Sequence, residues 1–88
     1  MKTLNKDYIF SEHAFFAVTV REIDNDWLLR CLEIPDLTEL SKKDESVTYY
    51  FKKISENGER VLRVAVNTKV DPKVIVTAYF DRTMRGKL

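Results

Sequence analysis

Apolar and polar positions alternate most regularly in the last third of the chain, over residues 59–67 (ERVLRVAVN) and 73–81 (KVIVTAYFD). Both stretches are rich in β-branched and aromatic residues, which pack well on a pleated surface. The residues between them include Asp71 and Pro72, so the pattern predicts two antiparallel strands joined by a turn. Successive side chains of a strand point to opposite faces. One parity gathers Leu62, Val64 and Val66 with Val74, Val76, Ala78 and Phe80, and that face is the expected core. The other sets Val61, Arg63, Ala65 and Asn67 beside Ile75, Thr77, Tyr79 and Asp81, and any site is expected there.

Upstream, residues 46–54 hold Val47, Thr48, Tyr49, Tyr50 and Phe51, all strong strand formers. Asn57-Gly58 follows, the preferred pair for a tight hairpin turn because both central residues need positive φ. Residues 37–41 alternate as a further strand, and Lys42-Lys43-Asp44-Glu45 is a charged turn. Near the N-terminus, Tyr8-Ile9-Phe10 leads into Ser11, a good helix cap, with Glu12 suited to the positive end of the helix dipole. Phe16, Val20 and Ile23, continued by Trp27, recur at helical spacing, which predicts a helix over about residues 11–23 with that stripe on the sheet. The run Val18-Thr19-Val20 would also suit a strand. A second helix is expected from Trp27 to Ile34, ended by Pro35. After Phe80 the periodicity stops, and residues 82–88 read as a mobile basic tail carrying Arg82, Arg85 and Lys87. The expected architecture is one α+β domain over residues 1–81, with two N-terminal helices packed on a four-stranded antiparallel meander.

With 88 residues the chain can bury enough surface to fold without staples. Fifteen Lys and Arg against fourteen Asp and Glu leave a net charge of +1, so only local patches can attract a polyanion. A single cysteine, Cys31, suits a reducing compartment. The N-terminal residues lack the apolar run of a signal peptide, and no stretch approaches a spanning helix, so a soluble cytoplasmic protein is expected. The only glycines, Gly58 and Gly86, make no phosphate loop, and His13 and Cys31 alone make no metal motif. No cofactor is expected.

The candidates for chemistry are His13, Arg21, Arg60, Arg63, Thr77, Tyr79 and Arg82. A lone histidine at a helix start is often simply solvated. Arg63 interrupts an apolar strand where valine or isoleucine would suit the pattern, although an ion-paired or snorkelling arginine would do so too. Tyr79 serves equally as packing or as a hydroxyl donor. Ser11-x-His13-Ala14, Arg21-x-Ile23, Trp27 and Pro35-Asp36, followed by Glu59-Arg60-Val61-Leu62-Arg63-Val64 and the run from Val76 to Arg82, resemble in order a family of small bacterial domains of unassigned function. That family is grouped by fold with the barnase, colicin and RelE-like ribonucleases, many of them toxins of toxin–antitoxin pairs. In many such domains a polar residue follows the His-Ala pair at four residues; here that position is Ala17, with Arg21 one turn further on.

The resemblance implies a metal-independent RNA endonuclease, with RNA as substrate and a cognate antitoxin as partner. In such a reaction a ribose 2′-hydroxyl attacks the adjacent phosphate while a base, an acid and cationic groups assist. His13 would be the acid or base, Arg63 with Arg60 or Arg82 would grip the phosphate, and Tyr79 or Thr77 would supply a hydrogen bond. Arg21 would assist in binding, and Tyr49 or Tyr50 would stack on an unpaired base. The alternative is a non-catalytic module of the same fold that binds RNA or protein through its arginine-bearing face.

Overall fold

The computed structural model describes residues 2–88. In chain order it comprises strand β1 (Tyr8–Phe10), helices α1 (Glu12–Val20) and α2 (Asn25–Glu33), and strands β2 (Leu37–Leu40), β3 (Val47–Ile54), β4 (Arg60–Asn67) and β5 (Lys73–Phe80). The strands form one sheet in the order β1-β5-β4-β3-β2. Strands β2 to β5 are an antiparallel meander, and β1 joins parallel to β5 through Tyr8↔Lys73, Ile9↔Val74 and Phe10↔Ile75. The fold is α+β as expected, but the four-stranded antiparallel sheet is corrected to a five-stranded mixed one. Three residues are too few to show a period, and the partner of β1 lies at the other end of the chain, so its pairing is a purely tertiary event. Both helices lie on one face, α1 along β5 and β1, α2 across β4 and β3. No described helix is long and apolar enough to cross a membrane.

The Ser11 hydroxyl caps α1 by accepting from the Ala14 N–H at 3.0 Å. The stripe that meets the sheet is not the expected one. Ala14, Ala17 and Val18 are buried, whereas Phe16 and Val20 are 66% and 62% exposed. Along α1 only Glu12, His13 and Thr19 are polar, so periodicity does not single out a face. The alanines let the helix backbone lie close to β5, and the bulky Phe16 turns outward. The helix also ends earlier than expected, in a Schellman motif: Glu22 takes φ 53°, its N–H donates to the Thr19 carbonyl at 3.2 Å, and the Ile23 N–H donates to the Val18 carbonyl at 2.9 Å. Ile23 thereby enters the core beside Val18 from outside the helix. Asp24 caps α2 by accepting from the Asp26 N–H at 2.8 Å, and Leu28, Cys31 and Leu32 face inward.

A β-bulge corrects the expected strand parity. Ala65 pairs with Thr77 but Val66 with Ile75, so Val76 is the extra residue. Ahead of the bulge the faces exchange, and Ile75 rather than Val74 or Val76 joins Val66, Val64, Leu62 and Ala78 in the helix-facing core. Beyond it Thr77 and Tyr79 keep the second face. The Asn57-Gly58 hairpin is also wider than expected. Ser55–Asn57 form a 3-10 turn, positive φ falls on Gly58 (65°) and Glu59 (59°), and Ile54 pairs with Arg60. A two-residue turn at Asn57-Gly58 would set Glu56 opposite Glu59 and slip β3 by one residue, taking Ile54 off the face of Leu62 and Val64. Burial of the core fixes the register.

The second face is partly covered as well. Phe51, Val61 and Ala65 are buried there, and the chain after β5 returns across one end. The Asp81 N–H donates to the Val61 carbonyl at 2.8 Å, Arg82–Met84 make a 3-10 turn, and Lys53 Nζ donates to the Leu88 carbonyl at 3.2 Å.

Candidate nucleic-acid interface

Arg63 lies in the middle of β4, on the face away from the helices, opposite Phe51 of β3 and Tyr79 of β5. Its guanidinium carbon is 4.2 Å from the ring centroid of Tyr49, 5.4 Å from that of Phe51 and 5.7 Å from that of Tyr79. Aromatic faces are electron-rich, so they shelter and attract the cation. Nη1 donates to Asp81 Oδ2 at 3.0 Å, while Nε is buried without a hydrogen-bond partner. Asp81 is only 7% exposed, and its other oxygen accepts from the Thr83 N–H at 2.9 Å and the Thr83 hydroxyl at 2.6 Å. Burial alone would push the Asp81 carboxyl up. The hydrogen bonds from Thr83 and Arg63 outweigh it, leaving the carboxyl below its ordinary range and ionised.

Beside this pair opens a concavity of about 730 Å³, lined by Arg21, Arg60, Arg82, Arg85, Tyr79 and Asp81 together with Val61 and Phe80. The placement follows from the fold. Strand β1 stops opposite Ile75, so the rest of β5 has no strand on that side, and its carbonyls are taken by α1. The Ser11 hydroxyl donates to the Val76 carbonyl at 3.2 Å, and Arg21 Nη1, from the C-terminal end of α1, donates to the Ala78 carbonyl at 3.3 Å. Arg60 opens β4 directly after the hairpin, and the turn after β5 adds Arg82 and Arg85. The ion pairs of the structure join Arg30 to Asp26 and Glu56, Lys52 to Asp36 and Arg63 to Asp81. Among the described residues, none of the four arginines of the concavity has a carboxylate partner, and the one acidic group there is already engaged. The site is therefore a place where cationic charge accumulates in a chain of net charge +1.

The structure brings together much of the candidate set read from the sequence. Arg63 and Tyr79 are cross-strand neighbours, and Tyr79 shares the concavity with Arg21, Arg60 and Arg82. Thr77 lies on β5 opposite Ala65, half-buried and outside the lining. His13 is exposed on the first turn of α1 and does not line the concavity. Tyr50 faces the helices, packed against the core, with its carbonyl accepting from the Cys31 thiol at 3.3 Å. Two participants are missing from the candidate set: Asp81 sits on the same strand parity as Tyr79, a signal available in the sequence, and Arg85 has only its place in a basic tail. Of the two tyrosines offered for stacking, Tyr49 is the one that reaches Arg63.

The fold and this cavity define a small α+β domain with an arginine-lined concavity beside the β5 edge of its sheet. The chain belongs to the family described as Domain of unknown function (DUF4258), whose model matches residues 10–80. No curated protein and no solved structure matches it. The family match accounts for the resemblance to small domains of unassigned function, and none of these comparisons links the chain to the barnase, colicin and RelE-like ribonucleases.

Proposed function

We propose that this domain binds single-stranded RNA, gripping the phosphate backbone with the arginines of the concavity. The observation that carries this reading is the convergence of Arg21, Arg60, Arg82 and Arg85 on one cavity without carboxylate partners among the described residues. A guanidinium presents a planar fork that matches two phosphate oxygens, so four of them suit a phosphodiester better than a carboxylate-poor apolar ligand. Tyr79 adds an aromatic wall, the type of surface on which unpaired bases stack.

A second reading, cleavage of the bound strand as in a toxin-type ribonuclease, draws on the Tyr79 phenol standing among those cations. The ribose 2′-oxygen would bond to the adjacent phosphorus as the bond to the 5′-oxygen breaks, giving a cyclic phosphate and a free 5′-hydroxyl. One proton leaves the 2′-hydroxyl and one is delivered to the 5′-oxygen, and the guanidinium groups offset the charge that builds on phosphorus. In this reading Tyr79, which lines the cavity, would move one of those protons, whereas His13 does not line it.

Fluorescence anisotropy of a labelled unstructured oligoribonucleotide across a salt series tests the first reading. Affinity should fall steeply with salt, and Arg60→Ala/Arg82→Ala should weaken binding about tenfold or more and lower the salt slope by about two. Absence of binding, or association insensitive to salt, would sink it. Incubation of the native chain and its Tyr79→Phe, Arg63→Ala and His13→Ala variants with the same RNA tests the second. Intact RNA with the native chain, or equal cleavage by Tyr79→Phe, would remove it.

A further inference from the structure

Beyond Arg63, on the strand side away from Asp81, lies a second cavity of about 590 Å³, walled by Ser41, Lys42, Lys43, Tyr49 and Arg63, with Glu39 also on its lining. It is built by the turn after β2. The Ser41 hydroxyl accepts from the Lys43 and Asp44 N–H groups, both at 3.2 Å, which holds the two lysines at the end of the sheet. Lys42 and Lys43 are exposed and, among the described residues, take part in none of the ion pairs. A hydrogen bond with the Ser41 hydroxyl chiefly, with Arg63 and Lys43 assisting, holds the Tyr49 phenol below its ordinary range.

Arg63 stands between the two cavities. Its own side chain lines the second, while its ion-pair partner Asp81 and its cross-strand neighbour Tyr79 line the first. From β2 to β5 the sheet advances three strand spacings, about 14 Å. That is farther than one phosphate group reaches. Cations at both ends, with Tyr49, Arg63 and Tyr79 alternating between them, match the interleaving of charge and aromatic rings by which proteins hold unpaired strands. Resting on the RNA-binding reading above, we infer that the two cavities form one track across the second face of the sheet, so that the ligand is a strand several nucleotides long rather than a mononucleotide, with Lys42 and Lys43 binding phosphates beyond Arg63.

The test compares a uridine dinucleotide with a uridine octanucleotide, by competition against a labelled octanucleotide, on three double variants of the full chain. These are Lys42→Ala/Lys43→Ala, Arg60→Ala/Arg82→Ala and, as a charge-matched control outside both cavities, Lys6→Ala/Lys69→Ala. All the lysines changed are exposed, and unchanged melting temperatures would verify folding. The Lys42/Lys43 variant should lose about tenfold for the octanucleotide and lower its salt slope by about two, with little change for the dinucleotide. A dinucleotide too weak to detect beside a bound octanucleotide also agrees with the track. If the Lys42/Lys43 variant behaves as the control while the arginine variant still weakens binding, the track is wrong and the RNA-binding reading stands. No binding of either oligonucleotide by the native chain overturns both, and octaglutamate competing as well as the octanucleotide overturns the assignment to RNA.

Discussion

Arg63 and Asp81 form an ion pair of 3.0 Å in which the guanidinium is one-quarter exposed and the carboxylate is 7% exposed. The pair joins β4 to the start of the C-terminal turn, and Thr83 holds the other carboxylate oxygen. Removing either partner leaves a sheltered charge that water satisfies poorly. Arg63→Ala is expected to cost about 1–3 kcal/mol in urea unfolding. Asp81→Asn should destabilise as well, yet raise RNA affinity, because it removes negative charge from the arginine cavity. An unchanged or lower RNA affinity would show that Asp81 does not restrain the site.

The orientation of α1 predicts an unusual tolerance. Phe16→Ala should change stability by less than about 0.5 kcal/mol, because the ring is mostly in water. Ala14→Leu, which adds bulk where Ala14 is fully buried, should cost about 1–3 kcal/mol. Urea denaturation of the two variants checks the pair, and the reverse order would mean that the helix presents its Phe16 stripe to the sheet.

Glu22 occupies the left-handed position of a Schellman motif that ordinarily takes glycine. The left-handed conformation costs a residue with a Cβ about 1–2 kcal/mol, and glycine loses about 0.5–1 kcal/mol of that gain through its freer unfolded chain. Glu22→Gly should therefore stabilise the protein by about 0.5 kcal/mol, read as a rise in melting temperature, while Glu22→Val should lower it.

The Glu56 carboxyl is held at about 2, chiefly by hydrogen bonds from Arg30, with its own backbone N–H assisting. A carboxyl depressed on folding stabilises the native state above its unfolded value near 4.5, and that contribution is lost as pH falls towards 2. Glu56→Gln should flatten the dependence of melting temperature on pH between about 4.5 and 2. Some slope should persist, because Asp81 is depressed too. An unchanged profile would show that the Arg30 contact does not persist in solution.

Burial pushes the Cys31 thiol up to about 12, with Asp36 adding to the effect. The thiolate is the reactive form, so native protein at neutral pH should resist thiol reagents and react fully only when unfolded. Rapid labelling of the folded chain would contradict the packing of α2 against β3 and β4.

The sequence alone determined what depends on local pattern and local chemistry. The meander of β2 to β5, the two helices, the first with its Ser11 cap, and the sharing of one strand face by Arg63 and Tyr79 all follow from propensity and two-residue alternation. Tertiary structure decided the rest. Which side of α1 is buried was settled by how closely Ala14 and Ala17 let the helix approach β5, since an apolar run around a helix has no preferred side of its own. The pairing of β1 with β5, the bulge at Val76 and the widened loop at Gly58 arise from matching distant surfaces in one core. The gathering of Arg21, Arg60, Arg82 and Arg85 has the same origin: residues from the end of α1, the start of β4 and the turn after β5 become neighbours only because β1 ends early, leaving the edge of β5 to the end of α1.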